Sequence, residues 1–281
     1  MKRWLSGMLL GLLACTALAS SNENRAVGKA SMLVTGWIDV LPDGSVRDHG
    51  LALADTIPQV IRRLVDKKVP AWKFRFDKPV NAVQREIMYL RITVTPVDDK
   101  HDSIAISRAS FIDASWRLTD HPYLNGGSVG TYPYAAKASH VTGTAYLALR
   151  INRQGKVEKA AVEQVDLDVY GPEKLLSKFR NLLADAAMEG VKSATFNLPS
   201  TGSHVGDPYW DIRQPVPCRI VTDGVPPMDN YRILLPYNPG PIQPVSWLPG
   251  DVQAAVPPDA NFVVTAAQGD STAHLVTPLQ D

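Results

Sequence analysis

Apolar residues along this chain recur with period two, then at helical spacing, then with period two again, and the succession runs through twice. In the first pass, Met32 to Val40 supplies strand residues. Leu41-Pro42-Asp43-Gly44 then carries turn chemistry leading into Ser45 and Val46, which predicts a hairpin. Ile57, Val60, Ile61, Leu64, Val65 and Val69 mark one face of a helix, with Arg62, Arg63, Asp66, Lys67 and Lys68 on the other. Pro58 suits its first turn and Pro70 ends it. Trp72, Phe74 and Phe76 alternate, and after Pro79 so do Met88, Leu90, Ile92 and Val94, the mark of a half-buried strand.

The second pass is cleaner. Ala145, Leu147, Leu149 and Ile151 alternate with Tyr146, Ala148, Arg150 and Asn152 up to a turn at Arg153-Gln154-Gly155, and Val157, Val162 and Val165 continue beyond it. Leu175, Leu176, Phe179, Leu182, Leu183, Ala186, Ala187 and Val191 trace a wide apolar stripe, so this helix must lie on a sheet. Phe196 and Pro199 close it, and Trp210 to Val221 predicts the last strand. Pro215 and Pro217 each remove a ladder donor there, which makes that strand an edge or a bulged one.

The two passes share residues as well as rhythm. Val34-Thr35-Gly36, Asp43-Gly44 and Val46, then Trp72 and Phe74, correspond to Val141-Thr142-Gly143, Gln154-Gly155 and Val157, then Ala194 and Phe196. The expected fold class is therefore α+β, with two related units, each a small antiparallel sheet of about three strands covered by an amphipathic helix. The first unit is expected over residues 30–97 and the second over 129–222. A polar connector, 98–128, with one short strand around Ile104 and Ile106, separates them. From 223 to 281 prolines accumulate, and an extended segment wrapping the domain is expected. Phe262, Val263 and Val264 could add one further strand.

Composition changes this picture little. Lys and Arg number 29 against 28 Asp and Glu, and a net charge of +1 gives no electrostatic reason to expect nucleic acid. The N-terminus says more. Lys2 and Arg3 precede an uncharged run from Trp4 to Asn22, which reads as an export signal. Ala17-Leu18-Ala19 suits cleavage after Ala19, giving a signal over 1–19. Leu12-Leu13-Ala14-Cys15 would suit lipidation at Cys15, and retention as an inner-membrane anchor is the third outcome. All three place the globular part outside the cytoplasm, with the periplasm as the expected location and the N-terminus as the only membrane attachment. With Cys15 removed or lipidated, Cys218 is alone, and its bland reading is a buried apolar thiol.

In order and at matching distances, Tyr132-Pro133-Tyr134-Ala135-Ala136, Val141-x-Gly143, Gly155-x-Val157, Ala186-Ala187 and Phe196 resemble the C-terminal domain of TonB-type energy transducers. The likeness covers residues 129–222; the first copy resembles a diverged relative lacking the Tyr-Pro pair. It implies a non-catalytic domain that binds a segment of an outer-membrane transporter as an added strand. The receiving edge would be the strand through Cys218, Arg219, Ile220 and Val221. The chain departs from the family in reach. Only residues 20–31 separate the apolar run from the first copy, about 40 Å at ~3.5 Å per residue. An exported binding protein is thus expected over a force-transmitting transducer or anchored transport accessory.

Catalytic chemistry finds little support in the sequence. The histidines at 49, 101, 121, 140, 204 and 274 never take zinc-helix spacing, and Asp98, Asp99, His101 and Asp102 read as a solvated connector. Asn125 to Gly130 lacks the lysine of a phosphate loop and reads as a hinge. No catalytic residue, metal or cofactor is expected, although an envelope hydrolase stays open as another class, because triad members need not be neighbours. Tyr132 and Tyr134, by fixing the incoming chain, and Tyr209 and Trp210, by lining a groove, are further candidates for partner contact. A protein or peptide of the cell envelope is the expected partner, and an edge-to-edge homodimer is compatible with open sheet edges.

Overall fold

The computed structural model describes residues 28–115, 117–125, 132–220, 233–248 and 271–279. The expected export segment with Cys15, as well as Val221 and Phe262 to Val264, lie outside them. β1 (Ala30–Val40) turns through Leu41 to Ser45 into β2 (Val46–Leu51). Asp43 Oδ1 accepts from Ser45 N, and Gly44 sits at φ 79°, where an L side chain is strained. α1 (Gln59–Lys68) buries Ile61 and Val65, and β3 (Phe74–Phe76) follows. β4 (Gln84–Pro96) returns along the other side of β1.

The expected connector, with its short strand around Ile104 and Ile106, instead carries a strand of twelve residues. β5 (Asp102–Asp113) pairs with β4 along its whole length, so the first sheet has five strands rather than three. A bulge at Ser107 hides its full length. Arg91 faces Arg108, yet Ile92 faces Ile106, so the alternation slips between Ile106 and Ala109 and no single period spans the strand. Asp98 caps the turn between β4 and β5, accepting from the backbone N–H groups of Lys100 and His101 and contacting the His101 ring at 2.8 Å.

Beyond β6 (Tyr123–Leu124) and the short α2 (Tyr134–Ala138), β7 (Gly143–Asn152) and β8 (Val157–Leu167) form a second hairpin. α3 (Glu173–Lys192) lays Leu176, Phe179, Leu183, Ala187 and Val191 on it. β9 (Phe196–Asn197) pairs β6, and β10 (Tyr209–Cys218) runs along the free side of β7. The orders β2-β1-β4 and β8-β7-β10 are the same connectivity. Matching contacts recur with it: Phe74 N–H donates to Gly44 O at 2.8 Å, and Phe196 N–H to Gly155 O at 2.8 Å. A Cβ on Gly36 would stand 2.1 Å from Gly50 O, and one on Gly143 2.2 Å from Asp166 O. Only glycine permits this approach of neighbouring backbones.

The C-terminal residues return to the first unit. β11 (Leu235–Pro236) pairs the start of β1, and β12 (Ala273–Leu275) pairs β3. Overall the class is α+β, with mostly antiparallel sheets and few helices. Among the described residues no helix is long and apolar enough to cross a membrane.

Candidate partner-binding edge

The backbone register decides which sheet edges are open. Ala114 N–H donates to Arg85 O and Val97 N–H to His101 O, and these two bonds fix the alternation at either end of the β4–β5 ladder. Ser103, Ala105, Arg108, Ser110 and Ile112 therefore turn their backbone groups toward β4. Asp102, Ile104, Ile106, Ala109, Phe111 and Asp113 turn theirs outward. Among the described residues no backbone hydrogen bond reaches that outer side. The same alternation puts the side chains of Ile104, Ile106, Ala109 and Phe111 on the core face, where Phe111 meets Trp72 and Phe74 edge to face. A rigid, half-buried strand thus offers a row of unpaired donors and acceptors, which an extended chain can satisfy.

The other long edges differ. On β8, Leu167 exchanges hydrogen bonds with Asn238, at 3.0 and 2.9 Å, and Gln243 N–H donates to Glu163 O, so the protein's own chain occupies that side. On β10, Asp168 N–H donating to Thr142 O sets the register of the sheet and turns Pro215 and Pro217 outward. Two successive outward positions there have no N–H to offer, which blunts the edge.

Of the residues that the resemblance marked as a receiving edge, Val221 lies outside the described residues. β10 ends at Cys218, and Arg219 and Ile220 lie past its end. Arg219 instead turns inward, with Nη1 donating to Gly143 O and 3.1 Å from Asp168 Oδ2. Burial pushes the Cys218 thiol up to about 11, so it is a packed thiol, not a nucleophile. The aromatic candidates are also separated, since Tyr132 lies by Val141 at one end of β7, while Tyr209 and Trp210 pair with Asn152 and Ile151 at the other. Ten residues of strand lie between, about 30 Å. The Tyr132 hydroxyl donates to Val141 O and fixes the incoming chain; Tyr134 is 85% exposed. Tyr209 stacks on Arg150 at 3.8 Å, and the buried Trp210 donates its indole N–H to His204 O. No common groove results.

A dense polar cluster of the described residues lies between the two sheets, on the faces away from α1 and α3. Arg91, 1% exposed, donates to Ser31 Oγ at 2.9 Å and Tyr146 Oη at 3.2 Å, and lies over the Tyr237 ring. Arg108 donates to Gln164 Oε1, Gln164 to Gly240 O, and Gly240 N–H to Asp166 Oδ1. Burial raises the Asp166 carboxyl above its usual range, against the pull of Arg91 and Arg108. Beside it Arg213 forks onto Glu163 at 2.8 to 3.0 Å. The bonds from Arg91 to Tyr146 and from Arg108 to Gln164 fasten sheet to sheet, while Arg108 Nη1 and Asp166 Oδ2 are buried without a hydrogen-bond partner among the described residues.

That β5 is an edge belongs to its pairing and not to its composition, so no residue of it announces the property. Pro215 and Pro217, two apart, were a signal that could have demoted β10. Compared with known proteins, the chain matches no family model, no curated protein and no solved structure.

Proposed function

We propose that this chain is a non-enzymatic protein of the cell envelope that binds an extended segment of a protein partner by strand addition, on two units like the C-terminal domain of TonB-type transducers. The observation that carries the reading is the outer side of β5, unpaired among the described residues, on a strand with neither proline nor glycine and in a chain whose β8 and β10 edges are occupied or blunted. The repeated connectivity and the matching glycine contacts at Gly44 and Gly155 support the kinship of the units. The enclosure of the polar cluster between the sheets favours binding over catalysis. Export, read from the residues after Lys2 and Arg3, places the partner in the envelope, where a segment of an outer-membrane transporter is one candidate.

The test is capture from envelope extract by the purified chain and two proline variants. Ala109→Pro removes one outward donor of β5 and leaves its ladder to β4 intact; Asp211→Pro does the same on β10. Loss of the partner with Ala109→Pro and retention with Asp211→Pro is expected, with circular dichroism to verify that both fold. The reverse pattern would overturn β5 as the receiving edge.

A further inference from the structure

The outward positions of β5 carry the same pattern from either end, an aspartate followed by apolar residues. From Asp102 they run aspartate, isoleucine, isoleucine, then across the bulge alanine, phenylalanine, aspartate at Asp113. Laid antiparallel on a second copy with the bulges aligned, Ile104 would face Phe111 and Ile106 would face Ala109, which favours contact. Yet Asp102 would face Asp113 at both ends, and like charges directly opposite repel. The centre of this edge invites an apolar strand, and its ends reject a copy of itself.

From that geometry we infer the partner's chemistry: an extended segment with apolar residues at alternate positions and a cationic residue at each end, set against Asp102 and Asp113. This rests on the strand-addition reading above. Backbone pairing to the six outward residues supplies affinity that any extended chain could claim. The two aspartates supply the choice, against acidic segments and against self-association alike. Asp113 Oδ1 accepts from Ser115 N–H at 2.7 Å, which holds that carboxylate at the strand's end. Asp102 is exposed where β5 leaves its turn.

The experiment measures fluorescence anisotropy of two labelled synthetic peptides long enough to span β5. They share a centre of alternating valine and serine and differ only in lysine or glutamate at the two ends. On the wild-type chain the lysine-ended peptide should bind about tenfold tighter, the effect of two exposed opposite-charge pairs, and the preference should shrink in high salt. On the Asp102→Lys, Asp113→Lys double variant it should invert. Asp102→Lys alone should dimerise in sedimentation, because each end then carries a lysine opposite Asp113. Equal binding of the two peptides, or an unchanged preference on the double variant, overturns the proposed chemistry. Strand addition would survive that result if Ala109→Pro still abolished binding of both. Binding that ignores Ala109→Pro would instead sink the edge itself. Peptide-induced protection of the Ile104 and Phe111 amides gives a readout independent of any variant's stability.

Discussion

Replacing Glu86 with glutamine should change how stability depends on pH, because Glu86 is a carboxyl buried on β4 with 1% of its surface exposed. Burial is the main cause that raises its pKa from 4.5 to about 7, opposed by a hydrogen bond from Ser271 and assisted by the charge of Asp113. The folded state therefore holds this proton more tightly than the unfolded chain. Between pH 4.5 and 7 the folded form binds more protons, so stability falls as pH rises through that window and levels above it. At ~1.4 kcal/mol per pH unit the loss is at most about 3 kcal/mol. Glu86→Gln keeps the shape and a partner for Ser271 but has no proton to lose. Urea unfolding from pH 4.5 to 8 should show the wild type falling relative to the variant across this window, and the two running parallel above it. Parallel curves throughout would mean that Glu86 is solvated or differently paired, and would refute the buried-carboxyl argument.

Other substitutions probe the frame that holds the edge. Glu163→Gln removes the carboxylate onto which the buried Arg213 forks, the two side chains being 2% and 3% exposed, and should cost about 3–5 kcal/mol by urea denaturation. Gly44→Ala and Gly155→Ala each force a methyl onto a positive-φ turn, 2.0 Å from Phe74 O and 2.3 Å from Phe196 O. Both should lose at least about 1–2 kcal/mol, and a harmless change at one alone would break the parallel between the units. Cys218 should resist alkylation at pH 8 in the folded chain and react fully in denaturant; fast labelling of the native protein would contradict its burial.

What the sequence made legible was local chemistry. The turns at Asp43-Gly44 and Gln154-Gly155 need a left-handed residue, and the stripes from Ile57 to Val69 and Leu176 to Val191 need a sheet to cover. Those features carry the α+β class. Ile104 and Ile106 marked a short strand, but the full length of β5 stayed hidden because its bulge puts them out of phase with Ala109 and Phe111, and because a strand containing Arg108 and three serines reads as polar. β11 and β12 are only two and three residues long, and their pairing with β1 and β3 rests on contacts across most of the chain. The candidate edge was the least legible of all. Openness is the absence of a neighbour, and no residue encodes it alone. Even so, the two prolines of β10 argued against that strand as a receiver, since two outward N–H groups are missing from it.

Amide hydrogen exchange on the isolated chain tests the central claim most directly. The outward amides of Ile104, Ile106, Ala109 and Phe111 should exchange quickly, while Ala105, Ser110 and Ile112, bonded to β4, should be protected in alternation with them. Equal protection of both sets would mean that something already pairs with β5, and would contradict an edge free to receive a partner strand.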